Sequence, residues 1–282
     1  MINPEAIKYF IELAKTQHMS RAAERLGVTQ PTLSHSLKRL EDEVGYTLFL
    51  RSKKGLSITT AGQRLLEKAH ELLQSWESIL NCVEEEVLQV QGLIRLGCHT
   101  AVAQYTLPLF LPTLLKNHPF LKISLTHGLS RHMTEMIVSS QLDVALAVNP
   151  QQHPDLVIKN LIKDRMTIWI PQNCMNSDVL LVDPSLLQSQ DIISKLGKRG
   201  IHFKRTIESS SLEVLAQLMN EGAGYAILPE RVIKALSNIK VHAMKNAPVF
   251  EDTICAVYKP EFRKIKRGEV FLQAINKILQ LP

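Results

Sequence analysis

The sequence predicts an α/β protein that opens with an all-α winged helix-turn-helix. Three observations point there. Residues 20–44 hold a short helix, a glycine turn and an amphipathic helix; a long unbroken helical pattern follows the hairpin after them; and from Leu93 apolar strands alternate with helices.

The first segment reads as a helix from about Asn3 to Gln17. Asn3 caps it, Pro4 takes the first helical position, Glu5 faces the positive end of the dipole, and Ile7, Phe10, Ile11 and Ala14 make a buried face. Such a start is a folded helix rather than a signal peptide, which needs a basic leader and a longer apolar run. A second helix, Ser20 to Leu26, carries Ala22 and Ala23, small enough for a neighbouring helix to approach. Gly27 supplies the left-handed turn that a residue with a Cβ adopts only at a cost. Thr29 then caps a third helix with Pro31 in its first turn, where the missing N–H is harmless. Leu33, Leu37 and Leu40 form its inner stripe, while Gln30, Pro31, His35, Lys38 and Arg39, flanked by Thr32 and Ser34, face outward. A packed inner face with a hydrogen-bonding outer face suits a helix that reads DNA. Leu48–Leu50 and Leu56–Ile58 pair around the turn Ser52-Lys53-Lys54-Gly55. Arg51, Lys53 and Lys54 on this hairpin are placed to meet phosphates, although a basic turn elsewhere is usually just solvated.

These residues resemble the N-terminal domain of LysR-type transcriptional regulators, whose pattern includes AAxxLxxxQPxxS, LExxxGxxLFxR and LTxAG. Here they stand as Ala22-Ala23, Leu26, Gln30-Pro31, Ser34, Leu40-Glu41, Gly45, Leu48-Phe49, Arg51 and Ile58-Thr59-Thr60-Ala61-Gly62, with Ile58 in place of the usual leucine. The resemblance implies a bacterial winged helix-turn-helix regulator whose base-reading positions are Gln30, Pro31, Ser34 and His35. His35 replaces a frequent arginine, so operator preference should depart from the commonest pattern there.

Charge and cysteines fit. The net charge is +6 over 282 residues, but residues 1–58 carry nine Lys/Arg against six Asp/Glu, whereas residues 59–88 carry two against six. The basic excess therefore sits with the helix-turn-helix and hairpin. Cys82, Cys98, Cys174 and Cys255 are widely spaced, which argues against a metal finger or a disulfide framework and suits a reducing cytoplasm. No apolar stretch approaches membrane-spanning length.

Thr60 and Gln63 have capping-box spacing, and no helix breaker appears until Gly92. Along this helix Leu65, Ala69, Leu72, Trp76, Ile79 and Val83 form one apolar seam, and Leu66, Leu73, Leu80 and Val87 a second. Polar flanks favour pairing with a second copy over burial against the chain itself, so Leu65, Leu66, Leu72, Leu73, Trp76 and Leu80 are the dimerisation candidates. The resemblance makes this the linker helix, with Val90-Gln91-Gly92 as hinge. Beyond it, the alternation predicts parallel sheets with helices on both faces. The resemblance implies an effector domain of two α/β lobes akin to type 2 periplasmic solute-binding proteins, supported by Asp143-Val-Ala-Leu-Ala and by Gly222-Ala-Gly-Tyr-Ala-Ile-Leu-Pro229. The domains are then residues 1–58, 59–92 and 93–282, with lobe I at 93–162 and 251–282 and lobe II at 163–250. The stretch after Ile170 is shorter than is usual in the family, which would trim the second lobe at its rim.

Chemistry points to binding. There is no GxSxG elbow, HExxH helix or P-loop, and the histidines lack ligand spacing, so no catalytic residue, metal or cofactor is expected. Open α/β sheets bind ligands beyond the carboxyl ends of their strands. Those positions hold His99, Thr100, Ser130, Asn149, Ser185, Ser209 and Ser210, whose hydroxyls, together with helix N–H groups, would favour a small anion. Each alone is more commonly a helix cap; Thr100 stands out because the family often contacts its inducer there. The implied partners are an operator duplex, a small anionic effector, further copies of the chain as dimer or tetramer and, for an activator, RNA polymerase. The competing reading is a solute-binding module or enzyme with the N-terminal domain as an attachment.

Overall fold

The computed structural model describes residues 3–52, 55–84, 90–172, 177–235 and 240–280. The chain folds as two compact units, residues 1–89 and residues 90–282 less the segment 138–141.

In the first unit, α1 (Pro4–Thr16) starts at Asn3, whose side chain accepts from the Ala6 N–H at 2.7 Å. Helix α2 (Met19–Leu26) ends at Gly27, with φ 67°, and α3 (Gln30–Val44) starts at Thr29, which accepts from the Thr32 N–H at 3.3 Å. The core these helices share holds Ile7, Phe10, Leu13, Ala22, Ala23, Leu33, Leu37 and Leu40. Strands β1 (Phe49–Ser52) and β2 (Gly55–Ile58) pair antiparallel, and Phe49 brings its ring to 5.6 Å from that of Phe10. The Glu41 carboxylate accepts from the N–H groups of Leu48 and Phe49 at 2.7 and 3.2 Å, fixing the chain where α3 hands over to the hairpin.

Helix α4 (Thr60–Glu84) follows, and its cap differs from the expected Thr60–Gln63 box. Thr59 is the capping residue: its hydroxyl accepts from the Gly62 N–H at 3.0 Å and donates to the Thr47 carbonyl at 2.8 Å. A hydroxyl one residue earlier wins because it also ties the helix to the end of the preceding loop. Gly62 is required by close approach, since a Cβ there would run into the Leu48 carbonyl. Residues 85–89, over which the helix was expected to continue, lie outside the described residues. Gln91 and Gly92, expected as a hinge, are instead the first residues of a strand.

The second unit is built on a nine-stranded sheet. Its strands are β3 (Gln91–Cys98), β4 (Phe120–His127), β5 (Val144–Val148), β6 (Val157–Pro171), β7 (Val179–Val182), β8 (Arg205–Glu208), β9 (Tyr225–Pro229), β10 (Val241–Ala243) and β11 (Phe250–Tyr258). The order is β4-β3-β5-β11-β6-β9-β7-β8, with β10 beside β6. The expectation of parallel sheets needs correction. β3 is parallel to β4 and β5, and β7 to β8 and β9, but β6 and β11 are antiparallel to each other and to their outer neighbours. The cause is the route of the chain: β6 carries it from one lobe to the other, β11 brings it back, and opposite travel pairs antiparallel.

Five helices of the unit are α5 (Thr100–Asn117), α6 (Ser130–Val138), α7 (Leu187–Lys198), α8 (Leu212–Asn220) and α9 (Glu230–Ala235); α10 (Lys266–Ala274) is the last, set between 3-10 turns at Pro260–Lys264 and Ile275–Gln280. They cover both faces of each half of the sheet. Phe110, Phe262 and Phe271 fill one side of lobe I and Met133 and Ile137 the other; Trp169, Leu212 and Leu215 fill one side of lobe II, and Ile192 and Leu196 the other. Helix α5 starts at Thr100 and keeps Pro108 and Pro112 inside it. Asp143 opens β5 beneath β3: its carboxylate takes the Arg95 guanidinium at 3.1 and 3.2 Å and the Arg95 N–H at 2.7 Å.

Candidate nucleic-acid interface and ligand cleft

On α3, the Leu33–Leu37–Leu40 stripe is buried, which forces the opposite side outward. Gln30, Pro31, Thr32, His35, Lys38 and Arg39 are exposed and Ser34 is half-buried. Some of them are tied to neighbouring side chains. Gln30 accepts from the Ser20 hydroxyl of α2 at 3.1 Å, Thr32 shares a hydrogen bond with the capping Thr29 at 2.8 Å, and Arg39 reaches Glu43 at 3.4 Å. The Gln30 tie sets the orientation of its amide, leaving its NH2 group as a donor. The side chain of Arg51 and all of Lys53 and Lys54 lie outside the described residues.

The dimerisation candidates divide. Leu65, Leu66 and Leu73 pack partly against the first unit's own core, around the buried Ala69. Leu72 and Trp76 are 46% and 43% exposed. The side chain of Leu80 lies outside the described residues.

The seven cleft candidates also divide. At the end of β3, His99 caps α5 by accepting from the Ala101 N–H at 3.2 Å, and Thr100 is exposed beside it. Ala101 belongs to the lobe II core that holds Trp169, Leu212 and Val232, and α5 packs against α9. Ser130 and Asn149 come together at the end of β5, yet their polar groups serve the scaffold. Ser130 accepts from the Val148 N–H at 2.8 Å; Asn149, at φ 46°, donates to Asp252 at 2.6 Å and accepts from the Thr253 N–H at 2.8 Å. Ser185 is turned to the Asp183 carboxylate, donating to it from both its N–H and its hydroxyl at 2.9 and 2.6 Å. Ser209 accepts from the Ser211 N–H at 3.1 Å, and Ser211 rather than Ser210 caps α8, accepting from the Val214 N–H at 3.3 Å. Of the seven, Thr100 and Ser210 are exposed, and the other five each hydrogen-bond to neighbouring scaffold groups.

Three groups that the sequence did not single out follow β7 or open helices of lobe II. Asp183 directly follows β7 and is 1% exposed; Ser189 in the first turn of α7 is 0% exposed; Glu213 sits in the first turn of α8. The rule that selects Ser185, carboxyl end of a strand, applies better to Asp183, but an aspartate does not fit the anion site expected there. Burial pushes the His99 imidazole below its ordinary range, against the pull of Glu213 and Asp183. Farther along, Asp164 of β6 and Asp252 of β11 stand directly opposite each other where the two strands cross between lobes. Burial, with the neighbouring carboxylate adding, pushes Asp164 up to about 6 even though the Arg165 and Arg231 N–H groups donate to it. Asp252 is raised too, by burial, against the hydrogen bonds from Gln188 and Asn149. Among the described residues no cluster of His, Cys, Asp and Glu could hold a metal ion, and no helix is long and apolar enough to cross a membrane.

Residues 4–63 match the bacterial regulatory helix-turn-helix protein model of the lysR family, and residues 88–280 match the LysR substrate binding domain. The chain belongs to the LysR family. Similar to this LysR-family regulator are the HTH-type transcriptional regulator YkuM of Bacillus subtilis, 27% identical over 98% of this chain and 97% of that one, and IlvY of Escherichia coli, 26% identical over 81% and 82%. In fold it is similar to a full-length OxyR variant of Pseudomonas aeruginosa, with a TM-score of 0.74 at 22% identity, covering 100% of this chain and 95% of that one. CbnR, a LysR family transcriptional regulator, gives 0.65 at 20%, covering 99% of both chains. This regulator thus joins a helix-turn-helix DNA-binding domain to an α/β substrate-binding domain.

Proposed function

We propose that this LysR-family regulator is a cytoplasmic, non-enzymatic transcription factor that binds a dyad-symmetric operator as a homodimer, or as a dimer of dimers, and responds to a small metabolite held between its two α/β lobes. The observation that carries the DNA-reading part is α3. Its leucine stripe is buried, and Gln30, Pro31, Thr32 and His35 stand exposed in its first two turns, where a major-groove helix meets base edges. Support for the ligand part comes from the first turn of α5, where the exposed Thr100 and the helix N-terminus offer hydrogen bonds to a negatively charged group such as a carboxylate. CbnR has been solved in complex with target DNA, which favours the same mode of action here. Acting as an activator, the protein would also engage RNA polymerase.

The test is a mobility-shift titration with the DNA upstream of the protein's own gene against a scrambled duplex of equal length. At physiological salt the upstream DNA should bind at least about a thousandfold more tightly. Equal affinity for both duplexes would leave a nonspecific DNA-binding attachment.

A further inference from the structure

Strands β6 and β11 carry the chain between the lobes, and where they cross they set two carboxylates side by side. Asp164 stands opposite Asp252 in the antiparallel register, with Lys163 opposite Thr253 and Arg165 opposite Glu251 on either side. Residues directly opposite in such a ladder point to the same face, with their Cβ atoms about 4.5–5.5 Å apart. Both residues are buried, at 8% and 5% exposure. Two carboxylates this close together and this far from water do not both stay ionised.

Their hydrogen bonds leave room for a proton. Asp252 Oδ1 accepts from the side-chain amides of Asn149 and Gln188 at 2.6 and 3.0 Å. Asp164 Oδ1 accepts from the Arg165 and Arg231 N–H groups at 2.8 and 3.3 Å. These bonds occupy Oδ1 of each carboxylate, so Oδ2 of each is the oxygen to protonate. Burial lifts Asp164 to about 6 and lifts Asp252 as well.

The surrounding charges do not remove the conflict. From α9, Arg231 pulls Asp164 down and donates its Nε–H to the Lys163 carbonyl at 3.1 Å, while Glu230 is paired with Arg165 of β6 at 2.6 Å. Glu251 of β11 raises Asp252. On α5, burial raises Tyr105, with both carboxylates adding. On α7, which brings Gln188, Asp191 is paired with Lys195 at 2.6 Å.

We infer that this crossing is a proton-operated joint: Asp164 and Asp252 share one proton that ties the strand entering lobe II to the strand returning to lobe I, and release of the proton loosens the tie between the lobes. The folded pair holds its proton more tightly than the unfolded chain. The tie is therefore complete in acid and is lost as pH rises through about 6. It is separate from the effector contacts proposed at α5.

The experiment has two readouts on the full-length protein. Asp164→Asn and Asp252→Asn are the variants, since asparagine keeps Oδ1 as an acceptor. Carboxyl-carbon NMR follows the Asp164 titration in the parent and in Asp252→Asn, where it should move down by about one pH unit or more. Hydrogen exchange follows the Thr253 amide, which donates to the Asn149 side chain at 2.8 Å. Its protection, corrected for the intrinsic exchange rate, should fall at least about threefold from pH 5 to pH 8 in the parent and stay level in Asp164→Asn. An Asp164 titration that is unmoved in Asp252→Asn would make the two separately buried acids and overturn the shared proton. Protection in the parent that does not change with pH, or a fall that persists in Asp164→Asn, would overturn the joint.

Discussion

His35 is exposed on α3, nearly two turns beyond the cap, on a backbone fixed by three buried leucines. Replacing it with alanine should weaken operator binding by about 1–3 kcal/mol and random DNA by much less, measured by titration on both duplexes. Equal losses would make it a backbone contact. Asp164 gives a prediction of the opposite kind, about stability. Its folded-state pKa, near 6, lies above that of an ordinary carboxylate, so the folded protein holds this proton more tightly than the unfolded chain. The contribution to stability is complete in acid and is lost as pH rises through about 6. Asp164→Asn keeps an oxygen for the Arg165 and Arg231 N–H groups and removes the charge. At pH 8 the variant should be more stable than the parent by up to about 3 kcal/mol, and the gap should shrink toward pH 5. A gap that stays constant across this range would show that burial does not perturb the group. Asp143 should behave in the reverse sense: alanine there strands the Arg95 guanidinium and should cost about 3–5 kcal/mol in denaturant unfolding.

Helix α4 shows how one stripe serves two purposes. Leu65, Ala69, Leu72 and Trp76 step by four, three and four along the same face; the first two pack into the first unit's core and the last two emerge from it. The seam is therefore intramolecular at its start, and in the proposed dimer Leu72 and Trp76 are the part a second copy would cover. Glutamate at Trp76 should give monomers in sedimentation and lose tight operator binding while the melting temperature of the monomer stays near that of the parent. Glutamate at Leu65 should instead unfold the helix-turn-helix domain. Dimers that survive Trp76→Glu would move the interface elsewhere. Sequence periodicity finds the stripe but not this division, because period alone does not say which neighbour covers each turn. Local chemistry was legible for a related reason. Asn3, Thr29 and Gly27 act within four residues of themselves, so their roles follow from sequence, whereas the choice of Thr59 over Thr60 depends on the Thr47 carbonyl twelve residues away. Strand direction was illegible in the same way: Lys159, Asn160, Lys163 and Asp164 interrupt the apolar pattern of β6, so its first half does not read as a strand and the crossing is hidden.

At the scale of the whole molecule, a ligand acts only through its differential affinity for two states of the protein. The two lobes of the second unit are joined by β6 and β11, whose crossing is fixed by polar contacts: Asn149 and Gln188 both donate to Asp252, at 2.6 and 3.0 Å, from opposite sides of the crossing. Under the proposed function, a ligand held between the lobes would bias them about this point, and its contacts on α5 would set how strongly. Thr100 carries the most weight from sequence, and its exposure at the head of α5 leaves its hydroxyl available to a ligand oxygen. Thr100→Val preserves the shape and removes that hydroxyl, at a cost of roughly 1–3 kcal/mol in ligand binding. The variant should bind operator as tightly as the parent in the absence of effector. It should need about tenfold or more of the effector to reach half of its response in a reporter strain or a titrated mobility shift. A response curve that overlays the parent's would reduce Thr100 to an ordinary first residue of a helix, and the ligand contacts would then have to be sought elsewhere.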